Sequence, residues 1–424
     1  MSKEQGGVAF RRVVITGMGA VSPAGYGVER LWSKVTGAQC CIDFLPDDER
    51  ERLGVNVAAR IPHYDPCEAG FTKKEARRFS PFVQYAIIAA DEAMAQAGIE
   101  RNPEDAERFA CVFGTGIGGI GVFERESVVL HEKGARRVSP LFVPTMIANM
   151  AAGDLAIRYG LKGDCLDVTT ACATGSHCVG EAYRLIRFGL ADVALAGGTE
   201  EGTGAMSLAG FANLGAITKS DDPCVASLPF DARRHGFVAG EGAGALVLES
   251  LEHAQARGAN IIAEVTGFGS TGDAYHITAP EPSGEGAVRA MRQALAEGGF
   301  TLEDVGHLNA HGTGTPMNDK VEAAAWRGLL GEELAAKLPV TSIKGVTGHM
   351  LGAAGAVEAI VAALSAARGV VPPTAGYAQP DPECPVLVPT SAWVNHPQKV
   401  VLSNSLGFGG HNASLALSPF EEVR

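Results

Sequence analysis

One cysteine and two histidines are the residues of this chain whose types and settings best suit covalent chemistry. Cys172 lies in the run 167–175, where an extended, β-branched stretch gives way to a helical pattern over 176–188. A thiol at the first turn of a helix feels the partial positive charge of unpaired backbone N–H groups, which favours the reactive thiolate. We therefore predict that Cys172 is a nucleophile, the alternative being a buried cysteine that acts as a small hydrophobe.

His311 and His349 have similar settings. His311 follows a short apolar run within the segment 309–316, and His349 ends the segment 342–349; glycines and threonines surround both. We predict that each histidine lies on a loop at the end of a strand. Either ring alone could be a core histidine with satisfied nitrogens, but two in like settings favour a shared site with Cys172.

The elements that must position these side chains alternate between strand and helix. Predicted strands or extended segments span 11–23, 112–121, 165–170, 193–198 and 241–249. Predicted helices span 74–98, 145–159, 176–188 and 251–257, and a strand, a turn and a long helix follow over 341–367. This order predicts an α/β protein with a mainly parallel sheet covered on both faces. Small-residue turns lead into a helix at Cys172 and again at 348–355, which suggests two similar halves that share one site.

Size, charge and cysteine usage narrow the function classes. A chain of 424 residues exceeds the usual single core, and a net charge of −13 argues against nucleic acid or an anionic membrane as main partner. The chain lacks an uninterrupted apolar stretch of about 18 residues, and 1–12 lacks the apolar core of a secretion signal. Nine cysteines without zinc-ligand or CxxC spacing predict reduced thiols and no metal. We expect a soluble, cytoplasmic protein.

A glycine-rich turn at 17–21 resembles part of a dinucleotide-binding loop. The third glycine of that motif is missing from its expected place, and Pro23 interrupts the helix that would receive a pyrophosphate. We interpret the segment as a tight turn after a buried strand.

Taken in order along the chain, further motifs resemble those of the elongating β-ketoacyl-acyl carrier protein synthases. The matching segments are 170–175, 229–231 with Arg234, 236–242, 310–315, 344–355 and 404–410. The resemblance implies a thiolase-like fold, a duplicated five-layered αβαβα architecture with two mixed, mainly parallel sheets. It places the nucleophilic cysteine in an N-terminal half, 11–258, and the two histidines in a C-terminal half, 259–424.

The resemblance also implies roles for the reactive residues. Cys172 would carry an acyl group as a thioester, with the backbone N–H groups of Cys172 and Phe408 as the oxyanion hole. His311 and His349 would stabilise the enolate that forms when a malonyl thioester loses carbon dioxide. Lys344 would support the histidines, and Glu322 would pair with Lys344. Phe408, which lies between glycines, would gate entry of the acyl chain.

Contacts with substrate and partner are implied in the same way. The pantetheine-binding residues would be Thr278, Thr313 and Thr315, and the acyl-pocket residues Ile117 and Phe142. Acyl carrier proteins are acidic, so an acidic enzyme needs a local basic patch; the implied docking residues are Lys73, Lys74, Arg77 and Arg78. The family implies a homodimer, although a heterodimer with a chain-length partner fits too, and neither metal nor other cofactor.

Three positions depart from the family pattern. His411 and Gly345 stand where threonine and serine are frequent, and His235 stands where an acidic residue is common. The departures affect pantetheine contacts and substrate preference rather than any catalytic group. Besides fatty acid elongation, a ketosynthase subunit of a type II polyketide or polyene synthase stays open. A noncatalytic chain-length subunit fits less well because such subunits typically lack the cysteine, and a degradative thiolase has a different cysteine and histidine pattern.

Overall fold

The computed structural model describes residues 4–5 and 8–422. Its strands are β1 (Glu4–Gln5), β2 (Val8–Ala9), β3 (Val13–Ser22), β4 (Gly25–Tyr26), β5 (Asp43–Phe44), β6 (Val57–Ala58), β7 (Phe109–Thr115), β8 (Cys165–Leu166), β9 (Val193–Glu200), β10 (Gly242–Ser250), β11 (Ala263–Gly272), β12 (Val305–Asn309), β13 (Val340–Thr341), β14 (Val400–Gly407) and β15 (His411–Pro419). Its helices are α1 (Val28–Thr36), α2 (Asp47–Leu53), α3 (Lys73–Arg78), α4 (Pro81–Ala97), α5 (Ile120–Lys133), α6 (Phe142–Met146), α7 (Met150–Tyr159), α8 (Thr174–Arg187), α9 (Ala205–Asn213), α10 (Leu251–Ala256), α11 (Glu285–Gly298), α12 (Pro316–Leu330), α13 (Glu332–Ala335), α14 (Lys344–Thr347) and α15 (Ala354–Arg368).

Two sets of five strands repeat the same connectivity. The first set is ordered β3-β10-β9-β7-β8 and the second β11-β15-β14-β12-β13, so each runs first, fifth, fourth, second, third in chain order. In both sets the first, fifth and fourth strands pair antiparallel, and the fourth, second and third pair parallel. The repeat is the topological evidence for a duplication. The division between residues 258 and 259 stays a prediction.

The two mixed, mainly parallel sheets that the resemblance implies are joined in the structure, and within each set antiparallel pairs are as frequent as parallel ones. Residues 13–15 of β3 pair with residues 263–265 of β11, which joins both sets into one mixed sheet of eleven strands. Parallel pairs lie only in its outer parts. The antiparallel pairing of β14 and β15 follows from their short connection over 408–410, because a hairpin can join only antiparallel neighbours. The left-handed φ values of 86° at Gly409 and 74° at Gly410 explain the glycines of this turn.

Helices α8 and α15 lie between the two strand sets, with α4 and α7 outside the first and α11 and α12 outside the second. This is the predicted five-layered order. The two central helices approach closely because glycines meet there: a Cβ on Gly175 would lie 2.5 Å from the Ala356 nitrogen, and one on Gly355 would lie 2.5 Å from the Ser176 nitrogen. The close approach brings the N-terminal ends of both helices to one place.

Helix α15 is buried on every side over 354–366. With the turn before it, it is the one segment among the described residues long and apolar enough to span a membrane, and 89% of that segment is buried within the protein. Burial of this kind is how the central helix of a layered α/β protein packs.

Two predicted helices are each divided in the structure. The helix predicted over 74–98 is α3 followed by α4, with a break at Phe79 and Ser80. Pro81 is the first residue of α4; it lacks a backbone N–H and disfavours helical geometry at the residue before it. The helix predicted over 145–159 is likewise α6 and α7. Helix α4 is also largely buried rather than amphipathic, because it packs on the glycines of β3.

Candidate active site

Cys172 lies in a one-turn 3₁₀ helix, Ala171–Ala173, directly before α8. The corresponding turn of the second half, Leu351–Ala353, directly precedes α15. Each turn opens with a residue in the left-handed region, Ala171 at a φ of 52° and Leu351 at 48°. This conformation costs a residue with a side chain about 1 kcal/mol or more, so the packed surroundings must hold both turns in place.

The structure brings the three predicted reactive side chains together. The Cys172 sulfur and one nitrogen each from His311 and His349 lie within 4.8 Å of one another, and all three residues are buried. The two imidazole rings meet edge to face, with their centroids 5.1 Å apart and an angle of 84° between the ring planes. His311 lies two residues beyond β12, as predicted.

His349 does not lie at the end of a strand, contrary to the sequence prediction. It follows α14, eight residues beyond β13. Its backbone is fixed by an extended segment instead: the His349 N–H donates to the Val238 carbonyl at 2.7 Å, and the Gly240 N–H donates to the His349 carbonyl at 2.9 Å. Phe237 packs edge to face on the ring at 5.4 Å. Sequence reasoning did not assign that role to Phe237, whose only signal was its place in a matched motif.

Both histidines are held neutral. Burial and the nearby Lys344 ammonium lower the pKa of His311 and of His349 well below the ordinary value. The Lys344 Nζ lies 3.5 Å from His311 Nδ1, and because an ammonium only donates, Nδ1 accepts and the ring proton belongs on Nε2. A neutral ring with its proton on Nε2 can donate a hydrogen bond while the ring itself stays uncharged.

The predicted pairing of Glu322 with Lys344 is wrong. Lys344 is buried and forms its ion pair with Glu358 of α15, and it also donates to the His311 carbonyl. The Glu322 carboxylate is occupied elsewhere, since it accepts the backbone N–H groups of His311 at 2.7 Å and Gly312 at 2.8 Å. Burial raises the pKa of Glu322 to about 7. Glu358 had a signal in the sequence: it is the one acidic residue in an apolar helix.

The expectation that the helix end favours the thiolate of Cys172 needs correction for the resting protein. Burial raises the pKa of Cys172 to about 12, while Lys344 and the backbone N–H of Phe408 lower it and Glu200 and Glu358 raise it. The resting thiol is therefore protonated, because loss of water outweighs the helix end.

A cavity of about 340 Å³ opens onto these groups. Besides Cys172 and both histidines, its lining includes Phe408 and the predicted pantetheine residues Thr278, Thr313 and Thr315. His235, one of the departures from the family pattern, also lines it, with Nδ1 3.2 Å from the Thr218 hydroxyl. The walls are mainly apolar, with a few polar groups near the thiol.

The predicted acyl-pocket residues lie outside that cavity. Ile117 is 37% exposed, and Phe142 is half-buried with its ring 6.3 Å from the ring of Phe123. The predicted docking residues share the short helix α3 and are all exposed; they are Lys73, Lys74, Arg77 and Arg78.

The other two departures from the family pattern are Gly345, which has a local packing explanation, and His411. A Cβ on Gly345 would lie 2.4 Å from the Ala375 carbonyl oxygen, so the packing here leaves no room for serine. His411 is exposed at the start of β15, and its ring lies 6.4 Å from that of His177.

Family models place this site among known proteins. Residues 10–254 match the model for the β-ketoacyl synthase N-terminal domain, and residues 262–378 match the model for the C-terminal domain. The chain belongs to the β-ketoacyl synthase family. The 3-oxoacyl-[acyl-carrier-protein] synthase 2 of Staphylococcus aureus (strain COL) is 47% identical to this β-ketoacyl synthase over 97% of this chain and 99% of that protein. The enzyme of the same name from Vibrio cholerae is 44% identical over 96% and 98%.

Solved structures agree with the assignment. A β-ketoacyl synthase from Burkholderia phymatum STM815 superimposes with a TM-score of 0.89 at 33% identity, covering 97% of this chain and 100% of that chain. AntDE:AntF, a type II polyketide acyl carrier protein in complex with its ketosynthase bound to the hexaketide, superimposes with a TM-score of 0.89 at 31% identity over the same shares. The predicted thiolase-like α/β fold is thereby confirmed.

Proposed function

We propose that this β-ketoacyl synthase condenses an acyl group held on Cys172 with malonyl-acyl carrier protein, releasing carbon dioxide and β-ketoacyl-acyl carrier protein in fatty acid chain elongation. One observation carries the proposal: a buried thiol and two neutral imidazoles lie within 4.8 Å of one another beside an apolar cavity. Full-length similarity to two proteins named 3-oxoacyl-[acyl-carrier-protein] synthase 2 supports it.

The first half-reaction transfers the acyl group. The Cys172 sulfur attacks the thioester carbonyl, the bond from that carbon to the pantetheine sulfur breaks, and the thiol proton ends on the departing pantetheine sulfur. The backbone N–H groups of Cys172 and Phe408 stabilise the oxyanion of the tetrahedral intermediate. Lys344 favours the thiolate during attack, since its charge lowers the pKa of Cys172.

The second half-reaction makes and uses a carbon nucleophile. The C–C bond to the malonyl carboxylate breaks, and the electron pair forms an enolate whose oxygen accepts the Nε2–H of His311 and an N–H of His349. The enolate carbon then bonds to the acyl carbon, and the C–S bond to Cys172 breaks. The thiolate so formed is stabilised by the charge of Lys344 and takes a proton from water, which replaces the proton that left with the pantetheine thiol. Neutral rings suit this step because they donate hydrogen bonds without themselves changing charge.

The substrates are carried by a partner protein, and no resident cofactor is required. We propose an acidic acyl carrier protein that docks on the four exposed basic side chains of α3, with its pantetheine arm passing Thr278, Thr313 and Thr315. Every step above uses only the thiol, imidazole, ammonium and backbone N–H groups of this chain. The cytoplasm, where thiols stay reduced, suits the reactive Cys172.

We propose a homodimer as the working form. Several exposed apolar side chains lie in this half of the molecule: Phe123, which packs on Phe142, is 49% exposed, Val143 is 54% exposed and Leu166 is 44% exposed. Leu166 belongs to β8, the outermost strand of the first set, whose outer edge is open to further pairing. A second copy on this face would enclose the two acyl-pocket residues, and a chain-length partner of the same fold would meet the same requirement.

The mass of the product tests the proposal. Purified enzyme is given malonyl-acyl carrier protein with a panel of acyl primers, and β-ketoacyl products two carbons longer than a series of long saturated primers support fatty acid elongation. Poly-β-keto or polyene products support the second candidate, a type II polyketide or polyene ketosynthase, which the likeness to AntDE:AntF favours. Absence of any condensation product would contradict both and leave the noncatalytic partner role.

A further inference from the structure

Glu200, the last residue of β9, is a fully buried carboxylate beside the Cys172 turn. Its Oε1 accepts the Thr115 hydroxyl at 2.7 Å and the Ile117 N–H at 3.3 Å. Its Oε2 accepts the Gly116 N–H at 2.8 Å and the Gly352 N–H at 3.0 Å. All four donors are uncharged. The side chain therefore ties together several backbone groups rather than neutralising a cation.

The four donors come from both halves of the molecule. Thr115 is the last residue of β7, and Gly116 and Ile117 follow it, whereas Gly352 is the middle residue of the turn before α15. The Cys172 turn contacts the same place: a Cβ on Gly116 would lie 3.2 Å from the Ala171 carbonyl oxygen and 3.4 Å from the Gly352 nitrogen. Glu200 thus fixes the two segments that flank the strained turn of the nucleophile.

We infer that Glu200 is a positioning residue for acyl transfer, which holds the Cys172 turn through its hydrogen bonds and restrains thiolate formation through its negative charge. The inference rests on the proposed function, because acyl transfer is the step it serves. The geometry is independent of that function. The four hydrogen bonds hold Gly116 and Gly352 in place, and Gly116 lies beside Ala171, whatever group Cys172 attacks.

The charge of Glu200 varies near neutral pH. Burial raises the pKa of Glu200 to about 7, although its hydrogen bonds from Thr115 and from backbone N–H groups lower it. The other charged groups that act on Cys172 are Lys344, which favours the thiolate, and Glu358, which opposes it. Burial keeps His311 and His349 neutral. As the pH rises through 7, Glu200 ionises, and its negative charge then raises the pKa of Cys172.

The test compares Glu200→Gln with Glu200→Asp. Alkylation of Cys172 by iodoacetamide is followed from pH 6 to 9 by mass spectrometry of the Cys172 peptide, which separates it from the other cysteines. We expect the Gln variant to react at the wild-type rate at pH 6 and several-fold faster at pH 9, because only the wild type gains a charge. The Asp variant keeps the charge, so its alkylation ratio to wild type stays near one, while its shorter side chain slows acyl transfer by about tenfold to a hundredfold.

Glu249→Gln is the matched control. Glu249 is also fully buried, but it bonds Thr16, His253 and Arg257 away from the cavity. We expect it to lower the melting temperature without a pH-dependent alkylation ratio. If Glu200→Gln behaves like this control, the inference is overturned. The readout does not need condensation, so a failed proposed function leaves the alkylation result intact.

A Glu200→Gln protein that does not fold would leave two variants to decide. Thr115→Val removes one donor and leaves the Glu200 charge, so we expect slower acyl transfer with a constant alkylation ratio, as for Glu200→Asp. Wild-type acyl transfer in both variants would overturn the positioning role.

Discussion

The two turns that open the central helices have the same backbone and different uses. In the first half the turn is Ala171, Cys172 and Ala173, followed by α8; in the second it is Leu351, Gly352 and Ala353, followed by α15. Both begin with a left-handed residue, and a glycine lies three residues beyond the middle of each, where the helices touch. The middle position is the proposed nucleophile in one turn and a glycine in the other.

The two turns therefore differ in what they contribute to the site. The first turn presents Cys172 to the cavity, whereas the second places the Gly352 N–H on Glu200 and follows His349 by two residues. Helix α15 then supplies Glu358, the partner of Lys344. In the proposed mechanism, one half of the duplicated scaffold therefore carries out the covalent step and the other half supplies the groups that stabilise charge. The comparison predicts that the two middle positions respond differently to the same substitution, alanine.

Replacing Cys172 by alanine should have the largest effect. Condensation should fall by at least about 10⁴-fold, the scale seen when a catalytic nucleophile is removed. Alanine removes a single sulfur atom that makes no ion pair, so the melting temperature should stay close to wild type. Product formation from acyl- and malonyl-carrier proteins, with calorimetry, measures both. Chain extension at a near wild-type rate would refute the nucleophile assignment.

His349→Ala should have the next largest effect, and it should slow the two half-reactions to different extents. Losing one enolate donor should slow malonyl decarboxylation by about 10²–10³-fold, because each preorganised oxyanion donor contributes about that much. Acyl transfer to Cys172 should be partly retained. Release of carbon dioxide from malonyl-carrier protein and acylation measured by mass spectrometry give the two rates.

His307→Gln is the control for that experiment. His307 is buried in β12 and bonds Gln398, away from the cavity. It should affect stability alone. Equal decarboxylation rates in the His349 variant and the wild type would remove His349 from the enolate site.

Gly352→Ala should show the opposite profile to the cysteine variant, a loss of stability. A Cβ at this position would lie 2.3 Å from the Gly116 nitrogen and 2.8 Å from Glu200 Oε2. Overpacking of this kind costs about 1–3 kcal/mol, and it would displace the residues that hold the Cys172 turn. Urea unfolding checks the cost. Gly204→Ala, where a Cβ meets no atom within 4 Å, is the control. Equal stability of the two variants would mean that the turns are not constrained as the comparison requires.

How far the sequence determined this site can be judged residue by residue. Cys172 and its strand-to-helix setting were predictable, because β-branched residues, small residues and a helical period follow one another locally. The partner of Lys344 was not, since Glu358 is fourteen residues away on a helix whose direction only the packing against α8 fixes. The protonated state of Cys172 was missed for a similar reason: local sequence shows the helix end, but burial depends on the whole fold.

Other misses had a local signal or lay beyond one chain. Pro81 indicates a break after α3, but the helical periodicity of 74–98 predicts one continuous helix. His349 was placed after a strand because α14 has only four residues, too few for a helical period. Ile117 and Phe142 do not line the cavity of a single chain, so their predicted role in the acyl pocket depends on the proposed partner subunit.

The smallest effect concerns the surface far from either turn. Reversing the charge of Lys74 and Arg78 should weaken binding of acyl carrier protein by several-fold to tenfold, because exposed charge pairs contribute about 0.2–1 kcal/mol each. The loss should shrink as salt rises, since screening already weakens the wild-type contact. Titration at two ionic strengths measures it, with Lys162 and Lys337, exposed elsewhere, reversed as the control. Both variants change the net charge equally, so a general electrostatic effect would weaken both alike. Only a loss of affinity confined to the α3 variant would locate the carrier protein on α3, away from the two turns that open the central helices.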